Sequence, residues 1–127
     1  MQHISTGDGW ETEFGYSRAV VVNDFVFISG TTAFDPNTLN IPNDEYQQTK
    51  SIYKKIEKVL KRVNCTFADI FKVVFYVKNI ENWELIKKAH KEVFSKEFPT
   101  ATMVEVSNLI DPKILVEIEV TALKSIK

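Results

Sequence analysis

Apolar and polar residues alternate in two short runs near the start of the chain. Arg18–Val22 and Phe25–Ser29 are rich in β-branched and aromatic residues, and Asn23-Asp24 separates them. Both separating residues tolerate a left-handed backbone better than most residues do. The pattern therefore predicts a β-hairpin, preceded by a polar segment and followed by a loop over residues 30–44, where prolines and Asn/Asp residues concentrate.

Two later segments repeat apolar positions at helical spacing. The first, Asn43–Val63, has Asn43 as a candidate N-cap, one apolar side and one cationic side, the latter formed by Lys50, Lys54, Lys55, Lys58, Lys61 and Arg62. The second is predicted to begin at Asn82 and to run to about Phe98, because Pro99 stops it. Its apolar face is formed by Trp83, Leu85, Ile86, Ala89, Val93 and Phe94.

Three further strands complete the prediction. They are Ile70–Val77, Thr100–Val106 and Ile114–Leu123, with a turn around Asp111-Pro112 before the last. The order ββαβαββ places a helix in the connection to the third strand and another in the connection to the fourth. Because right-handed crossovers place both helices on the same side, we expect an α+β fold in which a mixed sheet of five to six strands carries two helices on one face.

Two helices leave the other face of such a sheet uncovered. In the last strand we expect Val116, Ile118, Val120 and Ala122 to meet the helices and Leu115, Glu117, Glu119, Thr121 and Leu123 to lie on the uncovered face. The same alternation places Phe71, Val73, Phe75 and Val77 against the helices and puts Tyr76, Ala101, Met103 and Glu105 on the uncovered face. This mixture predicts a symmetric oligomer with carboxylates lining crevices between subunits. The alternative is a solvated sheet face with scattered hydrophobic residues.

Composition narrows the class of protein. The 127 residues fit one domain spanning 1–127, and 16 basic against 17 acidic residues do not fit a generally basic nucleic-acid binder. One cysteine excludes an internal disulfide, and two widely separated histidines give no metal-ligand spacing. The start of the chain has neither the basic region nor the apolar core of a secretory signal. No apolar run approaches the ~20 residues of a membrane span, so we expect a soluble, cytoplasmic protein.

Two long segments resemble the RidA (YjgF) family. They are FGYSRAVVVNDFVFISGTTAFDP near the start and FPTATMVEVSNLIDPKILVEIEVTAL near the end, and the strand order agrees. The resemblance implies a chorismate-mutase-like (YjgF) fold and a homotrimer with ligand clefts between subunits. It also implies hydrolysis of reactive enamines and imines to keto acids and ammonia, with no metal and no organic cofactor.

The resemblance implies a site residue by residue. Tyr16 matches a tyrosine that walls the cleft, Ser29 and Gly30 match a ligand-facing serine-glycine pair, and Glu117 matches the acid that orients the attacking water. The chain departs from the family pattern where the active deaminases carry an arginine, a cysteine and a glutamine. Those positions are Ala101, Met103 and Thr31. The chain therefore resembles the branch that lacks this arginine, for which the resemblance implies no single reaction.

The missing arginine has a chemical consequence. Arginine binds a carboxylate through two parallel charge-assisted hydrogen bonds, which alanine cannot replace. We therefore expect weak activity on 2-imino acids. Arg18 shares strand parity with Tyr16, so one hypothesis is that Arg18 supplies a relocated positive charge in the same cleft; the alternative is an ion pair at the strand edge. Glu117 is either a general acid or base, or an ordinary paired glutamate.

We interpret the remaining charged and potentially reactive residues as structural. Glu119 and Glu105 receive no chemical role from the resemblance. The cationic side of the first helix could contact RNA, but it has no interleaved aromatic residues, so a solvated face is favoured. His90 lies among apolar neighbours and is interpreted as a core or boundary residue. Cys65 is interpreted as an inert thiol, and Trp83 and Trp10 as packing residues, with Trp10 closing an edge or interface.

The sequence therefore predicts a RidA-like homotrimer that binds a small carbonyl- or imine-containing molecule, with Glu117 as the catalytic residue. Tyr16, Ser29, Gly30, Ala101, Met103 and Arg18 are the predicted substrate-binding residues. The alternatives are a non-catalytic ligand-binding or protein-interaction trimer and, third, an endoribonuclease. Apart from that third alternative, we expect no nucleic-acid partner and no membrane partner.

Overall fold

The computed structural model describes residues 1–125 and forms one six-stranded mixed sheet with two long helices packed on it. The strands are β1 (Gln2–Ile4), β2 (Ala19–Val22), β3 (Phe25–Thr31), β4 (Ile70–Val77), β5 (Thr100–Glu105) and β6 (Val116–Leu123). The helices are α1 (Gly9–Phe14), α2 (Glu45–Arg62) and α3 (Trp83–Val93), with short 3₁₀ turns at Phe67–Asp69 and Ile80–Asn82. The strand order across the sheet is β1-β2-β3-β6-β4-β5. Only β4 and β5 pair in parallel; the other neighbours are antiparallel.

The predicted hairpin is confirmed. Val22 pairs with Phe25, so the turn has two residues, and Asn23 adopts a positive φ of 53°. Helix α2 is also confirmed, although its N-cap is Asp44 rather than Asn43, since the Asp44 side chain accepts a hydrogen bond from the backbone N–H of Gln47. After the helix, Asn64 takes a left-handed conformation (φ 60°) and the N–H of Cys65 bonds to the carbonyl of Leu60. The predicted end of this helix at Asn64-Cys65-Thr66 is therefore a left-handed C-terminal cap.

The prediction of α3 is wrong at its C-terminal end. The helix ends at Val93, not Phe98, because Phe94 turns to an extended conformation and inserts its ring into the core beside Tyr53, Phe67 and His90. Trp83 and Leu85 were also expected in the packed face, but they are 46% and 40% exposed. The core contacts of α3 come from the buried Ile86 and Ala89 and from the partly buried His90 and Val93.

The N-terminal segment is more structured than its polar sequence predicts. Strand β1 pairs with β2, and α1 follows it directly. The buried Glu11 of α1 accepts hydrogen bonds from Ser5 Oγ, Thr6 N and Thr6 Oγ1, which bind the helix to the end of β1. These hydrogen bonds outweigh the effect of burial and lower the pKa of Glu11. The Glu11 carboxylate therefore fixes the position of α1 relative to the sheet.

The alternation of β6 follows the prediction. Val116, Ile118, Val120 and Ala122 are buried under the helices, whereas Glu117, Glu119 and Thr121 are half-buried on the uncovered face. The strand begins at Val116 rather than Ile114, since the buried Gln48 of α2 holds the preceding segment through the carbonyl of Lys113 and the N–H of Leu115.

Two face assignments are wrong. A register irregularity between Ile70 and Lys72 turns Phe71 to the uncovered face, where its ring contacts Phe25. In β5, Ala101 and Met103 pair with Val73 and Phe75, whose side chains face the helices, and Met103 packs against the core. The parallel pairing of β5 with β4 therefore fixes the orientation of its side chains, which alternation within β5 alone cannot do.

Candidate functional site

A bulge in β3 creates the centre of the site. Ile28 pairs with Val120 and Thr31 pairs with Ile118, so Ser29 and Gly30 together oppose one residue of β6. This extra residue reverses the alternation, and Thr31 becomes buried although Phe25 and Phe27 of the same parity are exposed. Bulges often occur beside active sites because they redirect a backbone or a side chain. Here the bulge turns Gly30 toward the uncovered face, beside Glu117.

Glu117 packs its carboxylate directly over Gly30. A Cβ placed on Gly30 would overlap Glu117 Oε2 and lie 3.0 Å from its Cδ. None of the hydrogen bonds and ion pairs within residues 1–125 involves the Glu117 carboxylate. Burial raises the pKa of Glu117; Arg18 opposes the shift and Glu119 adds to it. The structure thus holds a half-buried, unpaired carboxylate against a glycine.

A cavity of about 540 Å³ opens beside this carboxylate. It brings together five of the residues predicted from the sequence, which are Tyr16, Arg18, Ser29, Gly30 and Glu117. The other lining residues are Asp8, Trp10, Phe14, Thr32, Phe34, Lys55, Ile110, Asp111 and Ile114. Trp10 and Phe14 keep 50% and 82% of their surface exposed, so α1 forms an open aromatic wall of the cavity.

Arg18 places its guanidinium inside the cavity. Its Nη2 donates to the carbonyl of Gly30 at 3.0 Å and its Nη1 donates to Thr31 Oγ1 at 3.3 Å. The guanidinium carbon lies 5.4 Å from the centroid of the Tyr16 ring. The ion pairs of residues 1–125 do not include Arg18, so the alternative of a strand-edge ion pair finds no support in this structure. Burial raises the pKa of Tyr16, and Arg18 opposes that shift.

Lys55 is a cavity residue that the sequence pattern missed. The prediction placed it on the cationic side of α2, but its Nζ donates to the carbonyls of Thr32 and Phe34 at 2.7 and 2.5 Å. Burial lowers the pKa of Lys55, and the charge of Arg18 lowers it further. The sequence did offer one indication of this position, since Lys55 is next to the buried Ile56. A long side chain at the edge of an apolar helix face can bend over that face.

A smaller, more open cavity of about 320 Å³ lies on the other side of Glu117. Gly30 and Glu117 line both cavities, and Tyr76, Val106, Asn108, Leu109 and Glu119 complete the smaller one. Tyr76 Oη donates to Glu119 Oε1 at 2.6 Å, which satisfies that carboxylate and raises the pKa of Tyr76. Glu105 accepts the N–H of Ile80. Both contacts agree with the structural roles expected for Glu119 and Glu105.

The structure does not bring every predicted residue to the cavity. Ala101 and Met103 lie on the helix side of β5 and do not line either cavity within this chain. The hydroxyl of Ser29 donates to the carbonyl of Ser17 at 2.7 Å, so its proton is already engaged. Thr31 is buried, and its hydroxyl connects Arg18 to the carbonyl of Ser29.

The remaining candidates have structural contacts. His90 lies within ring contact of Phe75 and Phe94, and its Nδ1 lies 2.7 Å from Tyr53 Oη. Burial lowers the pKa of His90 and raises that of Tyr53, as expected of core residues. Cys65 is buried. In residues 1–125 no three His, Cys, Asp or Glu side chains group as metal ligands, and no described helix is long and apolar enough to cross a membrane.

Comparisons with known proteins identify the family. Residues 8–124 match the family model described as Endoribonuclease L-PSP. A solved structure from Mycobacterium tuberculosis, a member of the YjgF/YER057c/UK114 family, superimposes with a TM-score of 0.87 at 35% identity, covering 96% of this chain and 98% of the other. A RutC family protein of Pyrococcus abyssi is 33% identical over 111 residues, covering 86% of each chain.

A human relative has a named activity. The 2-iminobutanoate/2-iminopropanoate deaminase of Homo sapiens is 27% identical over 111 residues, covering 86% of this chain and 80% of the human protein. The α+β architecture is that of the YjgF structures. With its sheet, its bulge beside Glu117 and these matches, the chain belongs to the Endoribonuclease L-PSP family, the RidA (YjgF) family that its sequence resembles.

Proposed function

We propose that this protein binds a small carbonyl- or imine-containing metabolite and hydrolyses enamine or imine intermediates with water positioned by Glu117. The observation that carries the proposal is the unpaired carboxylate of Glu117, half-buried over Gly30 at the wall of a cavity of about 540 Å³. An unpaired carboxylate in a partly apolar site is suited to general-base catalysis, because its raised pKa brings it closer to neutral pH.

The chemistry assigns a simple sequence of steps. An enamine first tautomerises to the imine. The carboxylate of Glu117 removes a proton from water as the oxygen attacks the carbon of the C=N group, and the nitrogen takes up a proton from solvent. Glu117 then returns its proton to the amino group of the carbinolamine, the hydroxyl loses its proton to solvent, and ammonia leaves a carbonyl compound. Tyr16 forms one wall, and Ser29 and Gly30 shape the other, so that the ligand carbon lies next to Glu117. Neither a metal nor an organic cofactor is needed for these steps.

We also propose that the chain forms a homotrimer with the cavity at the subunit boundary. Support comes from the exposed aromatic walls of the cavity and from four exposed apolar side chains on the uncovered sheet face, which are Phe25, Phe27, Phe71 and Leu123. In this arrangement Ala101, which is exposed at the edge strand β5, borders the cavity of a neighbouring copy, whereas Met103 packs against its own core. That the chain is one domain in the cytoplasm remains a prediction.

The alanine at position 101 limits the substrates. The human relative is named as a deaminase of 2-iminobutanoate and 2-iminopropanoate. Its activity does not transfer directly, because Ala101 offers no positive charge for the carboxylate of such short acids. The cation that remains in the cavity, Arg18, already donates two of its N–H groups to Gly30 and Thr31. Losing a buried charge contact of this kind typically costs about 2–5 kcal/mol. We therefore expect rates on these two imines far below those of a relative that has the arginine.

The test is a ligand screen by thermal shift, followed by turnover assays that measure ammonia release. Glu117→Gln is expected to lower kcat by roughly 100-fold or more, because it removes the general base and preserves the volume. Glu105→Gln is the matched control, since among residues 1–125 the Glu105 carboxylate accepts the N–H of Ile80 and lies outside both cavities. This control should keep the parent rate.

The pH profile provides a second readout of the same group. Burial raises the pKa of Glu117, and the base must be deprotonated to act, so the rate should rise with pH through that raised pKa. The acidic limb should therefore lie at higher pH than for an exposed glutamate and should disappear in Glu117→Gln. Parent-like rates in Glu117→Gln would refute the proposed base. Binding of screened ligands without turnover would instead support a non-catalytic binding protein.

An endoribonuclease is the second candidate, favoured by the description of the matching family model. RNA binding needs a basic surface, and three of the basic side chains of α2 already have partners within the protein. Lys55 turns into the cavity, Arg62 Nη1 donates to the carbonyl of Ser5, and Lys50 lies 3.8 Å from Glu92. Tight RNA binding at physiological salt that is lost in Lys54→Glu/Lys58→Glu would reverse this order of candidates.

A further inference from the structure

Lys55 is held in the cavity as a fixed cation. Its side chain extends away from α2, and its ammonium group donates two of its three N–H groups to the carbonyls of Thr32 and Phe34. No group in residues 1–125 accepts the third. Two neutral carbonyls compensate only part of the cost of burying an ammonium group. The lowered pKa of Lys55 agrees with this incomplete compensation.

Arg18 is a second fixed cation with unused donors. Two of its N–H groups are bound to Gly30 and Thr31, and its Nε is buried without a hydrogen-bond partner in the described residues. The ion pairs in residues 1–125 include neither Arg18 nor Lys55. Asp8 and Asp111 also line the cavity, where each accepts a backbone N–H, that of Trp10 and that of Lys113. The negative charges of Asp35 and Asp8 offset part of the effect of burial on the pKa of Lys55.

The backbone of β3 sets the order of these charges along the cavity. Glu117 lies over Gly30, Arg18 binds the carbonyl of Gly30, and Lys55 binds the carbonyl of Thr32. Gly30 lies in the bulge and Thr32 follows the last residue of β3, so the two carbonyls belong to successive parts of the same segment. The cavity therefore presents the carboxylate and one cation at Gly30, and the second cation one step further along the chain.

We propose that the ligand is a dicarboxylic acid, specifically a 2-oxo or 2-imino dicarboxylate of four to six carbons. The carboxylate next to the reacting carbon contacts Arg18, the distal carboxylate contacts Lys55, and the reacting carbon lies beside Glu117. The cavity of about 540 Å³ is large enough for such an acid. The position of the reacting carbon rests on the proposed hydrolysis, whereas the two anion contacts do not.

The test compares two stable 2-oxo acids of equal length by calorimetry. 2-Oxopentanedioate has the second carboxylate, and 2-oxopentanoate lacks it. We expect the diacid to bind roughly tenfold more tightly, with a preference that falls as salt rises. In Lys55→Gln, which keeps hydrogen-bond donors for the two carbonyls, the preference should fall to about twofold or less. The matched control is Lys54→Gln, because Lys54 is the exposed neighbour and should keep the preference.

Equal binding of the two acids by the parent protein, no binding of either, or a preference that survives Lys55→Gln would each overturn the proposal. Competition by inorganic phosphate at the affinity of the diacid would show one anion site instead of two. The comparison of the two acids needs no variant, so a misfolded Lys55→Gln cannot obscure it. Glu117→Gln that hydrolyses imines normally would refute the proposed hydrolysis and leave the diacid preference intact.

Discussion

At the scale of single residues, the site depends on one close approach between Gly30 and Glu117. The bulge in β3 brings the α-carbon of Gly30 so near the Glu117 carboxylate that no side chain fits between them. Gly30 needs no unusual φ, so its role is to leave space rather than to provide a left-handed conformation. Any larger residue must therefore push Glu117 away from its position at the cavity.

Gly30→Ala is predicted to displace Glu117 and to leave the fold largely intact. The colliding atoms belong to the end of a flexible side chain, so we expect the free energy of unfolding to fall by about 1 kcal/mol and the turnover number to fall roughly tenfold or more. Gly9→Ala is the control, because a Cβ at Gly9 meets no atom within 4 Å. Unchanged turnover in Gly30→Ala would show that the position of Glu117 is not critical.

At the scale of elements, Gln48 joins α2 to two loops. Its Nε2 donates to the carbonyls of Pro42 and Lys113, and its Oε1 accepts the N–H of Leu115. The Gln48 side chain is fully buried. The loop that starts at Ile110 and leads into β6 also lines the cavity. Gln48 therefore supports both the helix packing and the position of Glu117.

Gln48→Leu is predicted to lower the free energy of unfolding by about 2–4 kcal/mol. The change leaves three partly buried backbone groups without their partner, and each unsatisfied buried group costs about 1–3 kcal/mol before relaxation. Urea denaturation measures the loss. Gln47→Leu provides the comparison, since Gln47 is the exposed neighbour whose side-chain contact is with Asp44. Similar stabilities of the two variants would contradict the role assigned to Gln48.

At the scale of the whole molecule, the uncovered sheet face has two different ends. One end is apolar, with Phe25, Phe27, Phe71 and Leu123 between 41% and 48% exposed. The other end carries Glu117, Glu119 and Tyr76 around the smaller cavity. The sequence predicted these residue types interleaved across the face, whereas the irregularity in β4 turns Phe71 to this face beside Phe25 and so enlarges the apolar end. An apolar end of this kind favours burial against other copies of the chain.

Phe27→Glu is predicted to dissociate the proposed trimer into single chains. A carboxylate placed in the centre of an apolar interface is costly to desolvate without a partner. Sedimentation velocity of the parent and the variant measures the change in mass. Phe98→Glu is the control, because Phe98 is 58% exposed beyond the end of α3 and away from the sheet face. A parent protein that sediments as a single chain would refute the trimer.

The local sequence pattern determined much of the fold. The hairpin at Asn23, the long helix α2 and the alternation of β6 all follow from short-range periodicity and turn chemistry. The short elements β1 and α1 did not, because three to six residues carry too weak a periodic signal without their partners. The end of α3 also depended on a distant contact, since Phe94 leaves the helix to fill a space between Tyr53 and Phe67.

For the site, the sequence supplied the candidates: through its resemblance to the family, Glu117 as the proposed acid and Gly30 and Tyr16 beside it, and through strand parity, Arg18 as a candidate cation. Only the tertiary structure decided their arrangement. A bulge is a property of two paired strands, so the sequence of β3 alone could not show that Gly30 faces Glu117. Likewise, helical periodicity describes where a side chain leaves the helix but not where a long chain ends, and so Lys55 was found in the cavity only by its contacts with Thr32 and Phe34.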